Sequence, residues 1–259
     1  MKLSLFQIDA FTDSVFAGNP AAICPLEAWL SDQQMQSIAA ENNLSETAFL
    51  VPDGDGFGLR WFTPTCEVDL CGHATLASAH LLLNRLEPTR SSVTFETRSG
   101  RLTVAREGDR LVMDFPAKPA SEVEPDAGLI EAVGGKPEKV LVADNYLMVY
   151  ASAAEVRGLR PRMVDLAAFG PRGVIATAAG EDCDFVSRFF APAHGIPEDP
   201  VTGSAHCTLI PYWSARLGKA DLHARQISRR GGELFCRDEG SRVSIAGRAV
   251  LYLEGTIFL

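Results

Sequence analysis

A chain of 259 residues with 46% apolar side chains can bury a real core, as one large domain or as two of about 130 residues. Its net charge of −9, with Lys and Arg scattered, argues against nucleic acid or an anionic membrane as the main partner, and no 18-residue apolar run offers a membrane span. Six cysteines at 24, 66, 71, 183, 207 and 236 form no C-x-x-C pair, so reduced thiols and no bound metal are expected.

Residues Met1 to Ala10 alternate like a strand and lack the basic-then-apolar order of a signal peptide, so the cytosol is the expected location. A turn at Gly18, Asn19 and Pro20 leads to a short buried strand, Ala21 to Cys24. Ser31 then caps a helix, with Gln34 as its capping-box partner and Leu30 and Met35 as a staple. After Asn42 and Asn43 comes an apolar strand, Leu44 to Val51, with Glu46 at its mouth. Glu46 is either exposed at the strand end or a partly buried carboxylate. In the second case desolvation raises its pKa and lets it move protons near neutral pH.

The next stretch, Trp61 to Leu83, has the makings of a reactive site. An apolar strand runs into a Pro-rich and acidic turn, and Gly72 opens a helix (Leu76, Ala77, Ala79, Leu81 to Leu83) that is apolar on almost every side. Such a helix belongs in an interior. Its first N–H groups lack partners within the helix, and Gly72 lets a ligand approach them, which suits an anion. His73, in that first turn, reads as a core residue or as a proton relay whose pKa is lowered by the positive helix end. Cys71, beside the same end, could have a depressed pKa. His80 and His206 read as packing or network residues.

The pattern recurs. Arg60, Phe62 and Pro64 match Arg188, Phe190 and Pro192 at a shift of 128. Gly72 before His73 matches Gly203 before Ser204 at 131, and Gly100 and Leu102 match Gly232 and Leu234 at 132. Three patches in order with a slowly growing shift indicate a duplicated unit, far longer than a solenoid repeat. Two halves are expected, 1–117 and 118–259, with Pro116 to Pro125 as the linker and a cleft for a small carboxylate between them. Strands are expected at Val93 to Thr97, Leu102 to Val104, Leu111 to Phe115, Val140 to Val142, Tyr146 to Ala151, Glu233 to Cys236, Arg242 to Ile245 and Ala249 to Phe258. Helices are expected at Leu129 to Val133, Met163 to Phe169 and Ser204 to Leu217, the last interrupted by Pro211.

The second turn, Glu198 to Ser204, holds Asp199 and Thr202, which are ordinary helix caps or parts of a second anion site. At a shift of 128 Glu46 falls opposite Val174, so only one half supplies a proton carrier there. A two-thiol racemase would need a Cys where Thr202 stands, and Cys207 lies one turn too deep.

Taken together, Asp9-Ala-Phe, Gly18-Asn-Pro20, Asn43-Leu-Ser-Glu46, Phe62-Thr-Pro64, Leu70-Cys-Gly-His-Ala-Thr75 and Glu198-Asp-Pro-Val-Thr-Gly-Ser204 give the chain its likeness. It resembles, over its full length, the PhzF-like isomerase family, the phenazine-biosynthesis group related to diaminopimelate epimerase. The resemblance implies an α+β fold of two similar halves, each a mixed sheet or barrel wrapped around a central helix, with the active site in the cleft between them and a homodimer. It implies Glu46 as acid/base, His73 and Asp199 as polar assistants, and Ser204 as a residue that orients substrate. Gly72, Ala74, Thr202 and Gly203 would bind a small carboxylate substrate without a cofactor. The expectation is a cofactor-independent isomerase; the alternatives are a two-base amino-acid racemase and a metabolite-binding protein without turnover.

Overall fold

The computed structural model describes residues 1–124 and 126–259. Pro125, the last residue of the expected linker, lies outside the described residues. The chain divides into two compact units, Met1–Asp114 with Ala246–Leu259, and Phe115–Ile245.

The first unit contains β1 (Lys2–Ala10), β2 (Asn19–Pro25), α1 (Asp32–Asn42), β3 (Glu46–Asp53), β4 (Gly56–Phe62), β5 (Glu67–Val68), α2 (Gly72–Leu81), β6 (Ser92–Thr97) and β7 (Gly100–Glu107), with β8 (Arg110–Pro116) running into the boundary. The second contains β9 (Ser121–Glu122), α3 (Ala127–Val133), β10 (Lys139–Val142), β11 (Tyr146–Val149), α4 (Ala153–Gly158), α5 (Met163–Ala167), β12 (Val174–Ala179), β13 (Phe185–Ala191), β14 (Ile196–Asp199), α6 (Gly203–Leu217), β15 (Asp221–Gln226) and β16 (Gly232–Asp238), with β17 (Arg242–Gly247) at its end. Mixed sheets with few helices make this an α+β fold.

Within each unit the same pairing order appears. In the first, β1 is antiparallel to β2, β2 parallel to β3, β3 antiparallel to β4, and β4 parallel to β6, which leads antiparallel to β7 and β8. In the second, β10, β11, β12, β13, β15 and β16 repeat that order and those directions. Parallel neighbours require a long crossover, and in each unit the second crossover is the buried helix, α2 or α6. All of α2 except Gly72 and His80 is buried, as its apolar sequence dictates. Its two hydroxyls are satisfied locally, Thr75 Oγ1 donating to the Cys71 carbonyl at 2.5 Å and Ser78 Oγ to the Ala74 carbonyl at 2.7 Å.

The expected division at 117/118 needs one correction. The last strand, β18 (Ala249–Phe258), belongs to the first unit, not to the second. It pairs antiparallel with β1 along its length, Lys2 opposite Phe258 and Ala10 opposite Ala249. That ladder satisfies backbone groups of the first strand, which a sequence read from one end to the other assigns to neighbours in the chain.

Pro211 does not end α6, which runs on to Leu217. The proline removes the N–H that the Cys207 carbonyl would accept inside the helix, and the backbone N–H of Lys118 donates to that carbonyl instead, at 2.9 Å. Among the described residues, no helix is long and apolar enough to cross a membrane.

Candidate active site

In the first unit three elements meet at the start of α2. Strand β1 ends in a loop where Phe11 and Phe16 take left-handed backbone, with φ of 62° and 71°. The loop closes at Gly18, also left-handed, where any Cβ would lie 2.2 Å from the Ala10 carbonyl oxygen; only glycine fits. The turn delivers Asn19 to the head of β2, and β3, parallel to β2, places Glu46 beside Ala21. Both lead to His73, the second residue of α2.

Glu46 is 9% exposed and His73 5%, so Glu46 does not stand free at the strand end. Glu46 Oε2 and His73 Nε2 lie 3.0 Å apart. The distance is that of an ion pair, but the angles are not those of a formed hydrogen bond, and neither atom has another partner. On the other ring nitrogen, Asn19 Nδ2 lies 3.2 Å and Cys71 Sγ 3.5 Å from Nδ1.

These neighbours correct two expectations. Burial works against a charge on His73, but Cys71 and Glu46 together outweigh it, so the imidazole is held well above its ordinary value. The helix end does not lower it as expected. Cys71 is not activated either. Burial, with the Glu46 carboxylate adding to it, pushes the thiol up to about 11. A neutral thiol leaves Glu46 as the neighbour that can hold His73 charged near neutral pH.

Glu46, Cys71 and His73 place three potential ligand atoms within 4.8 Å of one another. As a metal centre the set fits poorly. Cys71 and Glu46 face different nitrogens of one ring, and the thiol would have to lose a strongly held proton. The donors suit proton transfer better.

In the second unit the corresponding turn leads into α6. Thr202 precedes Gly203 as Cys71 precedes Gly72. Thr202 Oγ1 donates to Asp199 Oδ2 at 2.5 Å, so neither residue caps the helix in the ordinary way. Helices α1, α3 and α4 are closed by the side chains of Ser31, Asp126 and Ser152, whereas α2 and α6 open on Cys71 and Thr202 without a side-chain cap. Their first amides therefore remain for another acceptor. Ser204 is exposed in the first turn of α6, Thr202 and Gly203 are buried, and in α2 Gly72 is half-buried and Ala74 buried.

His206 is a network residue, its Nδ1 donating to the Thr202 carbonyl at 2.8 Å, and burial lowers it to about 4. His80 is lowered to about 4 as well, by burial and then by Arg106 and Arg85. Sequence reasoning missed Gln226 and left Asn19 as a turn residue. Gln226 is 1% exposed at the end of β15, where its Oε1 accepts from the Thr202 N–H at 2.9 Å.

The family model described as "Phenazine biosynthesis-like protein", PhzC-PhzF, matches residues 8–255. Two proteins of Pseudomonas aeruginosa named as uncharacterized isomerases are 55% and 52% identical to this chain, each match covering 100% of both chains. A crystal structure of a phenazine biosynthesis protein of the PhzF family from Enterococcus faecalis superposes with a TM-score of 0.98 at 43% identity, over 100% of both chains.

Proposed function

We propose that this chain, which belongs to the phenazine biosynthesis-like PhzC-PhzF family, is a cofactor-independent isomerase that moves a proton between carbons of a small carboxylate-bearing metabolite. The observation that carries this reading is the buried Glu46–His73 contact, 3.0 Å apart, beside the uncapped first turn of α2.

Glu46 as carboxylate removes a proton from a substrate carbon, and the electron pair left behind delocalises into the adjoining unsaturated or carboxylate group. Free amides at the start of α2 stabilise that charge. Glu46, now a neutral acid, returns the proton at a second carbon. A charged His73 faces the Glu46 carboxyl, and neither Glu46 Oε2 nor His73 Nε2 has another hydrogen-bond partner to give up when substrate arrives. Gly72 and Ala74 at the start of α2 bind the substrate carboxylate. In the second unit Thr202, Gly203 and Ser204 at the start of α6 are substrate-binding residues, with Asp199 as a polar assistant. The protein acts in the cytosol as a homodimer.

The two-base racemase has less support. Thr202 stands where the mirrored thiol would be, and its hydroxyl is committed to Asp199.

The test is a panel of small cyclic and unsaturated carboxylates incubated in D2O, with deuterium at carbon followed by mass spectrometry. Wild-type protein incorporates label into at least one of them. Glu46→Gln folds and slows incorporation by about 10³-fold, within the range for positioned proton transfer. Full exchange by that variant overturns the assignment.

A further inference from the structure

We infer that Gln226 is a positioning residue that fixes the direction of the Thr202 hydroxyl, so that it donates to Asp199 and leaves the entrance of α6 uncapped. This deepens the reading above, on which the role of Asp199 rests.

Gln226 uses both ends of its amide on one turn. Its Nε2 donates to Thr202 Oγ1 at 3.1 Å and to the Asp199 carbonyl at 2.8 Å, while its Oε1 accepts from the Thr202 N–H at 2.9 Å. A hydroxyl has one proton to give. With Gln226 donating to the Thr202 oxygen, the hydroxyl proton goes to Asp199 Oδ2, at 2.5 Å. The relay runs in one direction, from amide to hydroxyl to carboxylate, and each step strengthens the next.

The same contacts keep Thr202 from the usual task of its position. A threonine before a helix ordinarily turns its oxygen to the amides of the first turn. Here that oxygen is held by Gln226 and Asp199, and α6 has no side-chain cap. Gln226 is fixed in turn by its strand. Leu222, Ala224 and Gln226 alternate as the buried face of β15, and Gln226 lies opposite Ser187 of β13, whose carbonyl accepts from the next residue's N–H, Ile227, at 2.8 Å. A buried amide at the third inward position, all of its contacts made to one turn, is placed to hold that turn.

The experiment needs no substrate, so it stands or falls separately from the isomerase reading. Aspartate labelled with ¹³C at the carboxyl carbon is titrated by NMR, with Asp199 assigned through Asp199→Asn. Gln226→Leu removes the donor, the Asp199 carboxylate loses the oriented hydroxyl, and its midpoint moves up by about one pH unit. Thr202→Val, close to isosteric, gives the same upward shift. In the Thr202→Val background Gln226→Leu adds no further shift. An Asp199 midpoint that stays put in Gln226→Leu, while the melting temperature falls, leaves Gln226 a structural residue and overturns the proposal. If Gln226→Leu fails to fold, hydrogen exchange of the Gln226 side-chain amide decides. Protection in the wild type that is lost in Thr202→Val supports the relay, and fast exchange in both overturns it.

Discussion

At the head of α2 a carboxyl, an imidazole and a thiol are buried together, whereas the positions matching Glu46, Cys71 and His73 at the head of α6 are Val174, Thr202 and Ser204. The strand order and the uncapped helix start are common to both units; the ionisable side chains are not. A duplicated backbone plan thus yields two helix ends open to an anion, and divergence of a few side chains concentrates acid–base groups at one of them. Even the histidines differ in sign. His73 is held charged by its neighbours, while His206, one turn into α6, is held neutral by burial.

The shared plan includes an ion pair, and removing it from each unit gives the largest effect expected. Arg60 grips Glu67 with Nε at 2.6 Å and Nη2 at 2.7 Å, and Arg188 grips Glu198 at 2.7 and 2.9 Å. Each guanidinium also lies over a ring two residues on, Phe62 at 5.2 Å and Phe190 at 4.8 Å. The copies are unequal. Arg188 also donates to the carbonyls of Val156 and Leu159, so its loss strands several buried acceptors, while Glu67 keeps Arg98 at 2.8 Å when Arg60 goes. Arg188→Ala should cost about 4 kcal/mol and Arg60→Ala about 1–2 kcal/mol. Urea unfolding measures both, and equal costs would mean the two pairs do the same work.

Next in size is His73→Asn, expected to slow deuterium incorporation by about 10²-fold while Tm changes little, because Asn can still meet Asn19 but cannot hold a charge beside Glu46. The matching change at α6, Ser204→Ala, should raise KM and leave kcat nearly unchanged. A fall in kcat of similar size for both would erase the division between proton transfer and binding.

The two histidines also sharpen the comparison through pH. A histidine whose folded value is lowered to about 4 stays neutral while the unfolded chain, at about 6.5, takes up protons. Stability therefore falls as pH drops from about 6.5 towards 4, by about 2 kcal/mol between pH 7 and pH 5 for His206. His73 acts oppositely. Its folded value is raised, so its contribution is fully present below about 6.5 and is lost as pH climbs through the folded value. His206→Gln should flatten the acid side of a Tm–pH curve and His73→Asn the alkaline side.

Much of this was legible in the sequence, for reasons that can be named. Arg60 and Arg188 with their phenylalanines kept their spacing because the ion pair and the ring contact lie within one hairpin-like turn, so the shift of 128 exposed the duplication. Gly72 and Gly203 marked both helix starts because each stands as the first residue of its helix, directly before the apolar run. What stayed hidden depends on contacts between distant segments. Asn19 meets His73 across 54 residues and Gln226 meets Thr202 across 24. Gln226 did leave a trace, a polar residue on the inward face of an alternating strand. The charge on His73 was misjudged because the helix end is visible in sequence, whereas the neighbouring carboxylate, 27 positions earlier, is only a strand residue until the sheet forms.

The smallest expected effect concerns Cys71, and it separates position from chemistry. A thiol at a helix start is commonly activated, because the positive end favours thiolate. Here burial and the Glu46 carboxylate act against the helix end and hold the thiol protonated to about 11. A neutral thiol 3.5 Å from His73 Nδ1 is a weak partner, which a hydroxyl can replace. Cys71→Ser should therefore change deuterium incorporation by less than about tenfold, equivalent to about 1.4 kcal/mol. Iodoacetamide should label Cys71 slowly at pH 8, with the rate climbing only towards pH 11. Rapid labelling at pH 8 together with loss of exchange in Cys71→Ser would make the thiol a second base, and the difference between the two helix starts would then be one of racemase chemistry.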